Sequence, residues 1–495
     1  MNLLSPLRTA TPTDAPAPRP RAPRRHGLDI VRAAAIAWVM LYHAMTLDLV
    51  PDPDHWFIMF GWMGVDLFFV LSGFLIASQL LRPWAEGARP DYKRFFARRL
   101  LRTLPAYAAI LAVYLLVPAA REWPDMQPAW QFATFTENLL FEPTAPKAFS
   151  HIWSLCVEEQ FYLVFPAVVA LLAWRPSARR TGAILAFVLL FGVAIRSWLW
   201  LRYVAQPAFD PSADPDGGAY MAFIYYPTWS RLDGLLAGIA AAALKIYRPA
   251  AWARLVARPN LLLACGLAGI GAAILLFHGQ IAHLPAATLG FPLLSGAIAL
   301  VVAAASTDRA LLGRFPIPGA AALATAAYSL YLSQKIAYHA VVATLTPRAG
   351  LAGYPRLALA VAAALALGAL LYWTVERPFL RLRDRLEGPS RSSIARAPSG
   401  APFPHSGRNP ESTETARETP APRILILAVT GTRATARPAP GTGWNSTRHH
   451  PPRSRGGGPP ERRWRGSGDP HEPRRDHAGP STIVAPRFHA ETPSV

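Results

Sequence analysis

The chain has 495 residues, of which 52% are hydrophobic and only 16% are charged, whereas about a quarter of the residues of a soluble domain carry charge. The apolar residues are concentrated between about residues 28 and 373, in blocks of roughly 17–25 residues, the length that a helix needs to cross a bilayer. This pattern excludes a soluble globular protein. The net charge of +20 lies in short loops and in the tails, so it indicates membrane topology rather than a nucleic-acid partner.

Three regions differ in composition. Residues 1–26 are rich in Pro, Ala and Arg and lack the apolar stretch of a signal peptide, so we predict a disordered cytoplasmic leader. Residues 27–385 form the predicted membrane domain. Residues 386–495 are dominated by Pro, Arg, Gly, Ser and His and have too few apolar residues to fold alone. We therefore predict a disordered C-terminal tail without an enzymatic role.

The apolar blocks are predicted to be helices, because every backbone polar group in the hydrocarbon layer needs an internal hydrogen bond. The sequence thus predicts an all-α polytopic membrane helix bundle with about ten transmembrane helices. The ten predicted segments are Leu28–Val50, Phe60–Leu81, Leu100–Ala119, Ile152–Trp174, Thr181–Tyr203, Trp229–Ile246, Leu261–Phe277, Pro285–Ala305, Ala320–Leu345 and Gly353–Val375.

The charges of the loops predict the orientation. Asp and Glu dominate the charged loops that follow odd-numbered segments, whereas Lys and Arg dominate those that follow even-numbered segments. Lys and Arg concentrate on the cytoplasmic side of a membrane. We therefore expect both termini in the cytoplasm. Below, the side of the Lys- and Arg-rich loops is called the basic side, and the opposite side is called the acidic side.

The first segment contains two ionisable residues, Arg32 and His43. They are eleven positions apart, which places them on one helix face and about 16 Å apart along the axis. An ionisable group inside the membrane costs on the order of 2.5–3.5 kcal/mol on insertion scales and needs a reason. The alternatives are a snorkelling Arg with a hydrogen-bonded core His, or a functional pair. We favour the functional pair.

Other ionisable residues are expected near the depth of His43. They are Asp66, Glu158, Glu159, Arg231, Asp233, Lys335 and His339. A histidine beside a carboxylate is a general-base arrangement, because imidazole titrates near neutral pH and the carboxylate stabilises its cation. Structural ion pairs, for example of Asp233 with Arg231, are the alternative, and it stays open for Asp66 and Asp233. Glu158 is the favoured catalytic carboxylate.

A group of arginines enters the third segment from the basic side. Arg99 and Arg102 share a helix face, and Arg32 is expected at a similar depth. Because guanidinium groups bind phosphate oxygens bidentately, these three residues predict a phosphate-binding site. Topology-setting charge and lipid headgroup contacts explain Arg94 and Arg98, but Arg102 lies deeper than topology requires.

Five motifs in this order resemble the bacterial membrane acyltransferase family 3, the O-acetylase-like acyltransferases, over about residues 26–384. They are Arg32 with His43, the run Gly64–Phe74, Arg99 with Arg102, the stretch Trp153–Tyr162, and Val375–Phe379. One motif differs, since many members carry Tyr-Leu-x-His where this chain has Tyr331-Leu332-Ser333-Gln334. The difference puts the role of this helix in substrate choice in question.

The resemblance implies acyl-CoA as co-substrate, a carbohydrate or glycolipid hydroxyl as acceptor, and a bacterial inner membrane as the location. We expect neither a metal nor a permanently bound cofactor. It implies His43 as the catalytic residue, Glu158 in support, and donor contacts from Arg32, Arg99 and Arg102. We further expect supporting roles for Asp66, Ser154, Arg231 and Asp233.

A general base is preferred to an acyl-histidine intermediate, and acetyl is the default acyl group. The competing hypothesis is a proton-coupled transporter or flippase of an envelope precursor, because buried His and Glu can relay protons. Inverted repeats would favour transport, but the sequence contains no convincing internal repeat.

Overall fold

The computed structural model describes residues 26–386 except 53–54, 141–146, 175–176, 206–217 and 279–282. Within these ranges the chain forms helices and turns without strands. A helix occupies each predicted segment: α1 His26–Thr46, α2 Met63–Ala85, α3 Tyr92–Leu116, α4 Trp153–Trp174, α5 Ala178–Leu199, α6 Asp233–Tyr247, α7 Pro259–Phe277, α8 Phe291–Ala305, α9 Ala320–Ala340 and α10 Gly353–Leu371. A further helix, α11, covers Arg377–Leu386. The predicted leader and tail lie outside the described residues, apart from His26 and Leu386.

Eight helical stretches of the described chain are long and apolar enough to cross a membrane. The two predicted segments outside this group are α6 and α9. The 15 residues of α6 span only about 22 Å, less than a hydrocarbon core of roughly 30 Å. The protein is therefore an all-α polytopic membrane protein, and the total of ten crossing helices stays a prediction.

The helix α9 contains several polar residues, and it lies inside the bundle. It packs along α1 and α10 and buries Ser333, Gln334 and Lys335. Polar side chains in a membrane domain face the protein interior, where they find partners that lipid cannot supply. This helix therefore brings polar groups to the centre of the molecule.

Two buried ion pairs connect the helices on the acidic side. Nη2 of Arg231 donates to both carboxylate oxygens of Asp66, at 2.9 and 3.0 Å. Arg196 donates to Asp233 at 2.7 and 3.2 Å. The pair of Asp233 with Arg231 that we considered from the sequence does not form. Arg231 precedes α6 and Asp233 is the first residue of α6, and each finds its partner on another helix, namely Asp66 on α2 and Arg196 on α5.

The helices α2 and α6 approach closely through glycines. A Cβ atom at Gly73 would overlap the carbonyl oxygen of Leu235, and one at Gly238 would overlap that of Val70. Small residues allow helix backbones in membranes to approach each other in this way. The contact positions Asp66 on α2 opposite the start of α6.

We predict that Gly238→Val destabilises the protein, because the new side chain would collide with the backbone of α2. Overpacking costs about 1–3 kcal/mol, so the midpoint of heat-induced aggregation should fall by about 1–4 °C for a domain of this size. Size-exclusion chromatography after heating in detergent measures this midpoint. Gly271→Val is the matched control, since a Cβ at Gly271 meets no atom within 4 Å. Equal shifts for the two variants would contradict the prediction.

Candidate active site

Two adjoining cavities lie inside the helix bundle. The larger one, called the basic cavity, has a volume of about 450 Å³. Five arginines contribute to its lining, namely Arg32, Arg98, Arg99, Arg102 and Arg383. The smaller one, called the histidine cavity, has a volume of about 180 Å³ and is lined by His43, His151 and Lys335 among others. Guanidinium and imidazole side chains therefore line separate, neighbouring cavities.

The arginines of the basic cavity come from three helices that meet on the basic side. Arg32 lies in α1, and its Nη1 atom is 3.4 Å from Oδ1 of Asp29. The positive charge of Arg102 on α3 is near enough to repel that of Arg32. The guanidinium carbon of Arg99 lies 4.4 Å from the centre of the Tyr162 ring. Arg383 comes from α11, which packs against α3. This concentration of guanidinium groups suits an anionic ligand with several phosphate oxygens.

Glu158 lies in the basic cavity, whereas His43 lines the histidine cavity. The Ser72 hydroxyl donates to Oε1 of Glu158 at 2.9 Å, and the Tyr162 hydroxyl donates to Oε2 at 2.6 Å. Five residues along α4 from Trp153 move Glu158 about 7.5 Å away from the acidic side. The structure therefore does not bring Glu158 beside His43, and its expected role in orienting the imidazole has no support from this geometry.

His43 lies in the last turn of α1 and is 9% exposed. Its ring centre is 5.6 Å from that of His151 and 6.3 Å from that of Tyr331. The charge of Lys335 acts on the ring, and the Gln334 side chain interacts with it by hydrogen bonding; both residues belong to α9. Nδ1 of His43 is buried, and no described residue bonds to it. The imidazole is thus held in the interior with a nitrogen available for proton transfer.

Lys335 is paired with a carboxylate from the loop after α3. Its Nζ atom is 3.5 Å from Oε1 of Glu122 and donates to Oγ of Ser150 at 3.2 Å. Burial raises the pKa of Glu122, but the charge of Lys335 and a hydrogen bond from Tyr114 help to outweigh it and hold this pKa below its ordinary value. Glu122 therefore balances Lys335 beside the histidine cavity.

Tyr331 and Val65 line both cavities and separate them. The Tyr331 hydroxyl donates to the carbonyl oxygen of His151 at 2.5 Å. It lies 2.7 Å from Oγ of Ser154, which donates because the one hydroxyl proton of Tyr331 is already used. Ser154, Tyr331 and the backbone of His151 thus form a hydrogen-bonded partition between the arginines and His43.

The remaining predicted residues line neither cavity. Asp66 and Asp233 are the partners of Arg231 and Arg196, as described above. The Arg231 guanidinium also lies 5.2 Å from the centre of the Trp153 ring and 4.5 Å from that of Tyr225, and both rings line the histidine cavity. Arg231, held by Asp66, therefore packs against the outer side of two rings that line the histidine cavity.

No cluster of three or more His, Cys, Asp or Glu side chains that could hold a metal ion occurs in the described part of the chain. The sequence reasoning missed the positions of His151, Glu122 and Tyr331. His151 lies two residues before the recognised stretch Trp153–Tyr162, and this closeness was the available signal. Glu122 lies in a loop between predicted segments, and no local pattern connects it to Lys335.

A buried polar network fixes the acidic-side loops around the histidine cavity. The Asn138 side chain donates to the carbonyl oxygen of Tyr226 at 3.1 Å and to Oγ1 of Thr228 at 2.8 Å. Gln160 of α4 donates to Oδ1 of Asn138 at 3.0 Å. Beside this network, Glu137 is fully buried and accepts a hydrogen bond from Gln127 at 2.9 Å. Burial raises the pKa of Glu137 to about 8, although Gln127 and the charge of Lys335 oppose the shift.

We predict that stability falls as pH rises from about 4.5 to about 8, because the unfolded chain releases the Glu137 proton first while the folded protein retains it. One such group contributes at most about 1.4 kcal/mol per pH unit. Glu137→Gln should flatten this part of the profile, as measured by thermal midpoints in detergent. Glu86→Gln, at an exposed position, is the control and should leave the slope unchanged. An unaltered slope in the Glu137 variant would contradict the prediction.

Comparisons with known proteins agree with these features. A family model described as an acyltransferase domain, of acyltransferase family 3, matches residues 25–373. The chain is 28% identical over 230 residues to the peptidoglycan O-acetyltransferase OatA of Listeria monocytogenes, which covers 43% of this chain and 33% of that protein.

Two further relatives show similar coverage. A putative O-acetyltransferase of Staphylococcus aureus is 32% identical over 232 residues, which covers 44% of this chain and 34% of the relative. The putative peptidoglycan O-acetyltransferase YrhL of Bacillus subtilis is 28% identical over 236 residues, with 44% and 32% covered. The alignments thus span about a third of the length of these relatives. No solved structure matches the chain.

Proposed function

The chain belongs to acyltransferase family 3, whose model spans residues 25–373, and we propose that it transfers an acyl group from acyl-CoA to a hydroxyl of a cell-envelope saccharide. Acetyl is the simplest acyl group, and two of the relatives are named for peptidoglycan O-acetylation or putatively so. The observation that carries the proposal is the contact of an arginine-lined cavity with a histidine-lined cavity through one partition. The proposed location is a bacterial inner membrane, with the basic side and both termini in the cytoplasm.

The basic cavity is the proposed site for the phosphates of the acyl donor. Coenzyme A carries a ribose phosphate and a pyrophosphate, and both are ligands that guanidinium groups bind bidentately. Arg32, Arg99 and Arg102 lie on two helices around one space. Acyl-CoA is made in the cytoplasm, so a donor site that opens to the basic side agrees with the proposed orientation.

The acyl arm would run from the arginines towards the partition. Arg32 and His43 are eleven residues apart in α1, which corresponds to about 16 Å. An extended pantetheine arm has a suitable length for this separation. The thioester would then pass the edge of Tyr331, so that its carbonyl carbon meets the acceptor hydroxyl beside His43. Holding both reactants in this way converts a two-molecule encounter into a local reaction.

The proposed chemistry uses His43 as a general base. Its imidazole accepts the proton of the acceptor hydroxyl while the oxygen attacks the thioester carbonyl. The ammonium of Lys335 would stabilise the negative oxygen of the tetrahedral intermediate. Collapse of the intermediate breaks the carbon–sulfur bond, and the departing coenzyme A thiolate takes the proton from the imidazolium. The products are the acylated acceptor, free coenzyme A and neutral His43.

The proposal predicts different kinetic effects in the two cavities. His43→Gln should lower kcat by about 10²–10⁴-fold, the contribution of a general base. Arg102→Ala should raise KM for acetyl-CoA by about tenfold to a hundredfold, the value of a lost charge-assisted hydrogen bond. Both effects are measured by thiol release from acetyl-CoA in nanodiscs with muropeptides as acceptor.

The matched controls are His278→Gln and Arg254→Ala, which change exposed residues outside both cavities and should retain wild-type kinetics. Acyl transfer by the His43 variant at the wild-type rate, at equal protein level, would refute the assignment. Movement of labelled precursor across the membrane without chemical acylation would instead favour a transporter or flippase.

Tyr331 is predicted to keep water away from the thioester. Tyr331→Ala should open the partition, so that thiol release without acceptor increases severalfold while acyl transfer falls. Tyr331→Phe keeps the ring and loses two hydrogen bonds of about 1 kcal/mol each, so its effect should be smaller. Tyr354→Ala, at a residue that is 70% exposed on α10, is the control. Loss of transfer in both Tyr331 variants without added hydrolysis would contradict a partition role.

A further inference from the structure

The histidine cavity contains a second imidazole that the acyl-transfer step does not use. His151 lines this cavity and is 2% exposed. Both of its ring nitrogens are buried and lack a well-aligned hydrogen bond to any described residue, although the backbones of Tyr331 and Leu332 lie near enough to interact with the ring. Neutral imidazole has one nitrogen that donates and one that accepts, and a buried polar group without a partner costs about 1–3 kcal/mol. The ring is therefore suited to a polar ligand that enters the cavity.

Aromatic rings form most of the remaining wall. They are Tyr42, Trp62, Trp123, Trp153, Tyr225 and Tyr226. A pyranose ring presents C–H groups on its faces and hydroxyl groups at its edge, so its faces suit the electron-rich faces of aromatic rings. Few ligand classes combine these two surfaces, and a saccharide is the one that also supplies the hydroxyl required by acyl transfer.

The wall is held in place without a ligand. The Trp153 and Tyr225 rings pack 4.9 Å apart between centres, and Arg231, fixed by Asp66, lies against both. The backbone of Tyr226 is bonded by Asn138. A preformed site avoids much of the entropy loss that ordering on binding would require.

The size of the cavity limits the ligand. Its volume of about 180 Å³ is below the roughly 300–1,000 Å³ of pockets that take drug-sized molecules. It therefore suits one sugar ring rather than a length of oligosaccharide. Trp123 is only half-buried and comes from the loop on the acidic side, where a chain of further sugars could continue outward.

We propose that the histidine cavity is the acceptor subsite for one pyranose ring of an envelope saccharide. This inference rests on the proposed function. In the subsite, Trp123 stacks on the sugar, and His151 hydrogen-bonds the substituent next to the hydroxyl that His43 deprotonates. His151 is a positioning residue, since it fixes the acceptor and does not carry the transferred proton.

The test uses the full chain in nanodiscs, acetyl-CoA as donor and de-O-acetylated muropeptides as the saccharide probe. His151→Phe keeps a ring without nitrogen, and it should raise KM for the probe about tenfold, the value of one hydrogen bond to a buried group. Its KM for acetyl-CoA should stay within twofold of wild type, which also shows that the variant is folded. His151→Gln should recover part of the loss by restoring a hydrogen-bonding group.

The aromatic wall is tested in the same assay. Trp123→Leu should raise KM for the muropeptide severalfold. The matched control is Trp130→Leu, because Trp130 belongs to the same loop but is 55% exposed and lies outside the cavity. His278→Phe is the matched control for His151→Phe, because His278 is exposed and lies outside the cavity. Both controls should keep the wild-type KM for muropeptide.

Three outcomes separate the hypotheses. An unchanged KM for muropeptide in both His151→Phe and Trp123→Leu would overturn the subsite. Wild-type thiol release that depends on His43 and on phosphatidylglycerol, with no saccharide acylated, would overturn the saccharide assignment and leave the acyltransferase intact. If no thiol release depends on His43, the proposed function is refuted, and the acceptor subsite that rests on it is refuted as well.

Discussion

The central constraint on this molecule is the cost of placing charged side chains inside a membrane domain. The protein meets it by pairing cations with carboxylates from distant parts of the chain, namely Arg231 with Asp66, Arg196 with Asp233, and Lys335 with Glu122. Breaking a buried pair by removing one partner leaves an uncompensated charge and costs about 3–5 kcal/mol. Each pair therefore connects the elements that carry it. Lys335 lines the cavity that holds His43, and Arg231 packs against two rings of its wall.

The same constraint explains why the two cavities differ. In the basic cavity the arginines outnumber the carboxylates Glu158 and Glu159, so an anionic ligand would complete the balance of charge. Among the described residues that line the histidine cavity, the cation is Lys335, which has Glu122 as its partner. A neutral ligand therefore suits this cavity better. Charged donor and uncharged acceptor would thus be sorted by electrostatics and would meet at Tyr331, where water is excluded.

Local periodicity accounts for what could be predicted about the site. Helical geometry places Arg32 and His43 on one face, and both line cavities in the interior. The same reasoning placed Arg99 and Arg102 together, and both line the basic cavity. Helical periodicity did not predict the surroundings of Glu158, because the depth of a residue in a helix does not specify which side chains of other helices it contacts. The bundle turns this carboxylate towards Ser72 and Tyr162.

The sequence by itself determined the helical membrane class, the positions of the helices and the family, because apolar length, helical period and short motifs are local properties. Only the tertiary structure decided which charges pair, that His151 lies beside His43, and that Tyr331 divides the interior into two cavities. The contacts that define these features join residues far apart in the chain, such as Ser154 with Tyr331 and Ser150 with Lys335. No local pattern in the sequence predicts such contacts, since they arise from how the helices and loops pack against one another.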